Sequence, residues 1–239
     1  SKKKNMRFKF NKIIKINHLY FSFNNDEKYI LKDISFEIKK GEKIALIGDT
    51  GSGKSTLINI LMGLLNPTKG SIEVDGFKVF DNEKINNLIE WRSLISHVPQ
   101  SIFLIDDTIE KNVALGTKDN EIDKKRVKEC LKNAQLINFI DFSSSKNVGE
   151  RGIQLSGGQS QRVGLARALY KEAEVLFLDE ATSALDNQTE KSLMYSINNL
   201  KRITIVLIAH RLSTIANCDK VIKLKNGEIE KVGIPKDFL

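Results

Sequence analysis

Lys43-Ile44-Ala45-Leu46-Ile47-Gly48-Asp49-Thr50-Gly51-Ser52-Gly53-Lys54-Ser55-Thr56-Leu57 is the stretch on which the fold turns. Lys43 to Ile47 is a short, largely apolar run, long enough for a buried strand and too short for a helix. A glycine-rich turn follows, and Lys54 to Leu65 then reads as a helix. Gly48 to Ser55 fits the pattern GxxxxGK[ST], in which glycines let the loop wrap so that successive backbone N–H groups face phosphate oxygens. The helix start adds its partial positive charge at the same place. In this pattern Lys54 reaches the β- and γ-phosphates, and the Ser55 hydroxyl ligates Mg²⁺, with Thr56 the last residue of the binding stretch. By itself the motif specifies a nucleoside triphosphate and nothing more.

Ahead of this stretch, Ile13 to Phe23 and Ile30 to Ile38 are rich in branched and aromatic residues, with turn-prone Asn24-Asn25-Asp26 between them. Behind it, Thr108 to Leu115 and Asp123 to Phe142 carry helix-spaced apolar residues, which predicts a helical lobe inserted into the sheet domain, over about 101–160. Ser156 to Tyr170 reads as a helix, Val175 to Leu178 as a buried strand, Gln188 to Leu200 as a helix and Ile203 to Ile208 as a strand. Two short strands around Val221 and Ile229 close the chain. Strands alternating with helices predict an α/β fold with a mainly parallel sheet.

The bulk properties exclude several classes. With 239 residues, 41% hydrophobic and 28% charged, the chain reads as globular rather than disordered. Its longest apolar runs, such as Ile203 to Ala209, fall far short of the ~20 residues that cross a bilayer. Cys130 and Cys218 are far apart and lack CxxC spacing, so they read as reduced cysteines. The net charge of +8 comes from lysines spread along the chain, and no nucleic-acid partner is expected. The Lys2 to Lys15 cluster reads as a solvated linker, with a position near anionic lipid head groups as the alternative.

Two further motifs complement the phosphate loop. Val175-Leu176-Phe177-Leu178-Asp179-Glu180 is an apolar strand ending in two carboxylates. Ligands of open α/β sheets collect at such carboxyl ends. Asp179 is expected to hold Mg²⁺, and Glu180 to orient or deprotonate the attacking water. Leu155-Ser156-Gly157-Gly158-Gln159 precedes a helix containing Arg162 and Arg167. Two glycines at a helix start let an anion approach, and the Ser156 hydroxyl adds a donor. One domain has no need of two such receptors, which hints that this one serves another molecule's nucleotide.

With its three motifs in this order, the chain resembles the ABC ATPases from about Ile16 to Gly233. The resemblance implies a P-loop NTPase (RecA-like) core, an N-terminal antiparallel β subdomain and an inserted α-helical subdomain. It implies hydrolysis of ATP with Mg²⁺. Gln100 resembles the Q-loop glutamine that contacts Mg²⁺ and water, Ser183-Ala184-Leu185-Asp186 the D-loop, and His210 the switch histidine at the γ-phosphate. The family usually stacks a tyrosine on adenine where this chain has Phe23, with Tyr20 or Tyr29 as alternatives. Two such domains close head to tail over two ATP molecules, each site completed by the other chain's signature residues, so a homodimer is expected.

Val148-Gly149-Glu150-Arg151-Gly152, the run Glu180 to Asp186 and Ala209-His210-Arg211-Leu212-Ser213-Thr214-Ile215 resemble the exporter branch of the family. That implies residues 1–12 as a linker from a membrane domain absent from this chain, residues 13–239 as the ATPase domain, and a place at the cytoplasmic face of the cell (inner) membrane. The substrate would be exported or flipped, with a lipid, a lipid-linked saccharide or a peptide all open. The alternatives are the separate ATPase subunit of an importer and a non-transport ABC ATPase.

Overall fold

The computed structural model describes residues 9–25, 28–81, 86–137, 147–149, 155–179, 187–198, 203–209 and 211–238. The chain divides into two compact units, one of residues 1–95, 174–177 and 202–239, the other of residues 96–173 and 178–201.

In the first unit, β1 (Ile13–Phe21), β2 (Leu31–Lys39), β4 (Lys69–Val74) and β5 (Phe77–Lys78) form a four-stranded sheet in the order β2-β1-β4-β5. Its pairings are antiparallel. The hairpin from β4 to β5 turns on Asp75-Gly76, both at positive φ (49° and 86°), as the tightest two-residue turn demands. The Asp75 carboxylate accepts the backbone N–H groups of Asn11 (2.5 Å), Lys12 (3.0 Å) and Ile13 (2.8 Å). Just ahead, Phe10 is fully buried, and the Lys40 ammonium donates to its carbonyl and to Glu174. The front of the described chain is therefore pinned at three points.

A six-stranded sheet follows the order β10-β9-β3-β8-β7-β6. β3 (Lys43–Ile47) lies parallel to both β8 (Thr204–Ile208) and β9 (Lys220–Lys225), and β10 (Glu228–Gly233) is antiparallel to β9. β7 (Val175–Asp179) and β6 (Ile95–Val98) each run from the first unit into the second. Every residue of β8 is buried, as a central parallel strand covered on both faces requires. α1 (Lys54–Leu61) packs Leu57, Ile58, Ile60 and Leu61 into the core, and α2 (Asn86–Leu94) buries Trp91, whose indole N–H donates to the Leu61 carbonyl at 2.8 Å. Burying each such side chain is worth roughly 1.5–3 kcal/mol.

The second unit is mainly helical. It holds α3 (Ile109–Val113), α4 (Lys124–Asn133), α5 (Gly157–Tyr170) and α6 (Asn187–Asn198). Thr108 caps α3 and Asp123 caps α4, each side chain accepting an N–H of the first turn. The short α7 (Leu212–Ile215) belongs to the first unit.

Two predicted helices stop early for the same reason. The helix expected to reach Leu65 ends at Leu61, because Gly63 (φ 75°) closes it: Gly63 N–H bonds to Ile60 O (2.9 Å) and Leu64 N–H to Asn59 O (2.8 Å). The helix expected from Asp123 to Phe142 ends at Asn133, where Gln135 (φ 58°) makes the same closure, its N–H on Lys132 O (3.0 Å) and Leu136 N–H on Leu131 O (2.9 Å). Residues 138–142 lie outside the described residues. β1 likewise ends at Phe21, and Phe23 falls in a 3-10 turn, Phe23–Asn25, with Asn24 at φ 55°.

Candidate nucleotide site

The phosphate loop leaves the carboxyl end of β3, between the parallel neighbours β8 and β9. Gly48 sits at φ 141°, and a Cβ there would lie 2.2 Å from the Leu224 carbonyl oxygen of β9. Gly53 sits at φ 102°, and a Cβ there would lie 2.5 Å from Leu31 Cδ2 at the start of β2. Both glycines are thus required by backbone conformation, and Gly48 also by the close passage of the β9 backbone.

Lys54 is only 6% exposed, and its ammonium donates to the carbonyls of Gly48 (2.7 Å) and Asp49 (2.8 Å) across the loop. Gly53 is the N-cap of α1 and makes no side-chain cap bond to the helix start. The Ser52 hydroxyl is buried and has no hydrogen-bond partner among the described residues. A buried ammonium, an uncapped helix start and an orphaned hydroxyl in one loop make a receptor suited to phosphate oxygens. Asp49, Thr50, Gly51 and Ser55 are exposed, and Thr56 is half-buried.

Phe23 is 50% exposed, which excludes it from the core, and it meets Phe21 edge to face at 4.9 Å. The alternatives Tyr20 and Tyr29 are paired with each other at 5.2 Å, with the Lys69 ammonium 5.9 and 5.4 Å from their rings. Tyr29, chiefly through a hydrogen bond, raises the Lys69 pKa above its ordinary value.

The second unit holds the remaining described candidates. Gln100 is exposed just after β6, and its carbonyl accepts from Gln161 Nε2 at 3.3 Å. Asp179 closes β7 and is half-buried. Leu155 is half-buried, while Ser156 and Gly157 are exposed. Ser156 caps α5 reciprocally: its Oγ accepts from Gln159 N–H (3.2 Å), and Gln159 Oε1 accepts from Ser156 N–H (2.8 Å). The Ser156 O–H remains a donor. Gly158 and Gln159 are half-buried in the first turn. Glu180, Ser183, Ala184, Leu185, Asp186 and His210 lie outside the described residues, as do Glu150, Arg151 and Gly152.

Both arginines noted in the α5 sequence serve main-chain carbonyls. Arg162 donates to Gln135 O (2.9 Å) and Gly158 O (3.3 Å), and Arg167 to Asn112 O (2.8 Å) and Phe103 O (3.2 Å). Asn112, fully buried, carries no motif in the sequence; an asparagine four residues after the Thr108 cap, between apolar Ile109 and Val113, is the one signal for it.

Comparison with known proteins identifies the family. The model of the ABC transporter family matches residues 31–183. Among curated relatives, the ATP-dependent lipid A-core flippase of Ralstonia nicotianae is 40% identical over 231 residues, covering 95% of this chain and 38% of the relative. The protein of the same description from Bordetella avium is 42% identical over 222 residues, covering 91% and 36%. A solved structure, a bacterial Atm1-family ABC exporter with ATP bound, is 33% identical with a TM-score of 0.86, covering 97% of this chain and 40% of that one. The chain belongs to the ABC transporter family. It has the fold of the family's ATPase, an antiparallel β subdomain beside a mixed sheet, and it spans under two fifths of the length of the flippases named here.

Proposed function

We propose that this chain binds and hydrolyses ATP as the motor domain of an exporter, driving the export or flipping of a substrate held by a membrane domain. The observation that carries the reading is the phosphate loop, with Lys54 buried across it and an uncapped helix start behind it. Its backbone N–H groups and Lys54 grip the phosphates, and Phe23, half-exposed, offers a ring face to the adenine. Among the described residues no group of three His, Cys, Asp or Glu side chains could hold a metal. Mg²⁺ favours one or two protein oxygens together with phosphate oxygens and water, and the Ser55 hydroxyl beside the phosphate loop is an exposed oxygen of that kind. Ser55, Gln100 and Asp179 would hold it, and when bound it neutralises charge on the phosphates. Glu180 orients or deprotonates the attacking water, and His210 contacts the γ-phosphate.

Ser156 to Gln159 serve a second copy's nucleotide, and Ser183 to Asp186 run across the interface, so two chains close over two ATP molecules. Closure on ATP and opening after hydrolysis follow from contacts that only the γ-phosphate makes. Residues 1–12 act as a linker from the membrane domain and 13–239 as the ATPase, at the cytoplasmic face of the cell membrane. No helix among the described residues is long and apolar enough to cross a membrane. The flippase relatives support a lipid or lipid-linked saccharide as substrate.

The test is Glu180→Gln. The variant is expected to bind ATP normally, to form an ATP-dependent dimer and to lose nearly all turnover. A variant that stays monomeric at saturating ATP-Mg on gel filtration, with wild-type hydrolysis, would remove Glu180 from the reaction.

A further inference from the structure

The hairpin between β9 and β10 turns on Asn226-Gly227, at φ 51° and 82°, the two-residue turn that an Asn-Gly pair favours. Hairpin tips ordinarily face solvent, and Asn226 does, but Gly227 is buried. It sits on the chain where β2 begins. Lys32 N–H donates to the Gly227 carbonyl at 2.8 Å. A Cβ on Gly227 would lie 2.1 Å from the Ile30 carbonyl oxygen and 3.5 Å from Leu31 Cα. Those are main-chain atoms, which cannot swing aside as a side chain would. The charged pair nearby, Lys32 with Glu228 at 3.7 Å, is exposed and contributes little.

Ile30 and Leu31, under the tip, touch both halves of the candidate nucleotide site, and all of these residues belong to the first unit. On one side they back the start of α1, where a Cβ on Gly53 would meet Leu31 Cδ2 at 2.5 Å and the Ile30 oxygen at 3.5 Å. On the other, Ile30 N–H donates to the Phe21 carbonyl at 2.7 Å, and the Phe21 ring meets that of Phe23. The Leu224 carbonyl of the same hairpin closes on Gly48 at the entry to the phosphate loop.

The loop has anchors of its own: Lys54 on two of its carbonyls, Ser52 N–H on Asp49 O (3.1 Å) and Leu57 N–H on Gly53 O (2.8 Å). Phe23, half-exposed in a single 3-10 turn after β1, has fewer. A push at Gly227 therefore shifts the aromatic shelf more than the loop.

We infer that Gly227 is a positioning residue for the nucleotide. By seating Ile30 and Leu31, the hairpin tip sets the separation between the Phe23 ring and the phosphate loop, and so the length of ligand that spans them. Gly227 acts through Ile30 and Phe21 rather than by touching the ligand. The inference rests on the reading of Phe23 as the adenine shelf.

The experiment is calorimetric titration of the full chain with ATP-Mg and, separately, with tripolyphosphate-Mg, which carries the phosphates without the base. Gly227→Ala is expected to lose about fivefold in ATP affinity and to hold tripolyphosphate within roughly twofold. In turnover, KM should rise more than kcat falls. Phe23→Ala should show the same split between the two ligands. Combined, the two substitutions should lose little more than either alone, because both act on one contact. Where Gly227→Ala melts below the working temperature, one glycine inserted between Asn226 and Gly227 frees the tip without strain. The same split is then expected at about threefold.

Equal losses for both ligands, no loss of either, or losses that add in the double variant would each overturn the inference. A Phe23→Ala variant that keeps the parent's preference for ATP over tripolyphosphate removes the shelf reading itself. A split in Phe23→Ala with none in the hairpin variants removes this inference alone.

Discussion

Two helices of this chain begin at glycines, and they begin differently. α1 starts at Gly53, at φ 102° and without a side-chain cap, with the buried Lys54 ammonium held on loop carbonyls. α5 starts at Ser156, whose hydroxyl and Gln159 satisfy each other's backbone N–H groups. The first start leaves its positive end for a ligand to complete. The second satisfies two of its backbone N–H groups with its own side chains, so it keeps its shape without one. Hydrogen bonding therefore separates a helix start left open to a ligand from one closed by its own side chains.

The largest expected effect falls on the first start. Lys54→Ala should weaken ATP binding about 100-fold, near 3 kcal/mol, the upper range for hydrogen bonds from a charged donor. Calorimetric titration measures it, and a loss below roughly threefold would place the phosphates elsewhere. Next comes Gly48→Ala, which forces a Cβ against the Leu224 carbonyl at positive φ. It should destabilise the fold by about 2–3 kcal/mol in urea titration. A variant as stable as the parent would mean that the loop relaxes away from β9.

Ser156→Ala tests the second start. It should cost about 1 kcal/mol of stability through the lost cap. ATP affinity of the monomer should not move, and the ATP-dependent dimer should weaken in sedimentation. If monomer affinity fell as far as in Lys54→Ala, the two starts would share one site and the comparison would collapse. The smallest effect belongs to Phe23. Phe23→Ala should lose about fivefold in nucleotide affinity, near 1 kcal/mol for one aromatic contact, while Phe23→Tyr stays within roughly twofold.

Much of the phosphate site was legible because its signals are local. Lys43 to Ile47 became β3 with the predicted bounds, and the loop glycines stand where backbone and neighbours demand them. The helix start at Ser156 was legible for the same reason. What escaped depends on partners far along the chain. β5 has two residues and exists through its pairing with β4. α2 is held by Trp91 reaching Leu61, thirty residues back, which no periodicity reveals. The stop at Gln135 was invisible because a glutamine, not a glycine, takes the left-handed turn. The carbonyl partners of Arg162 and Arg167 lie tens of residues away, so their roles could not be read from the sequence.

The three N–H groups held by Asp75, with Phe10 sunk behind them, give the domain a fixed handle. The segment from Phe10 to Ile13 is thereby moored to the β4–β5 turn, so a pull on it loads that turn directly.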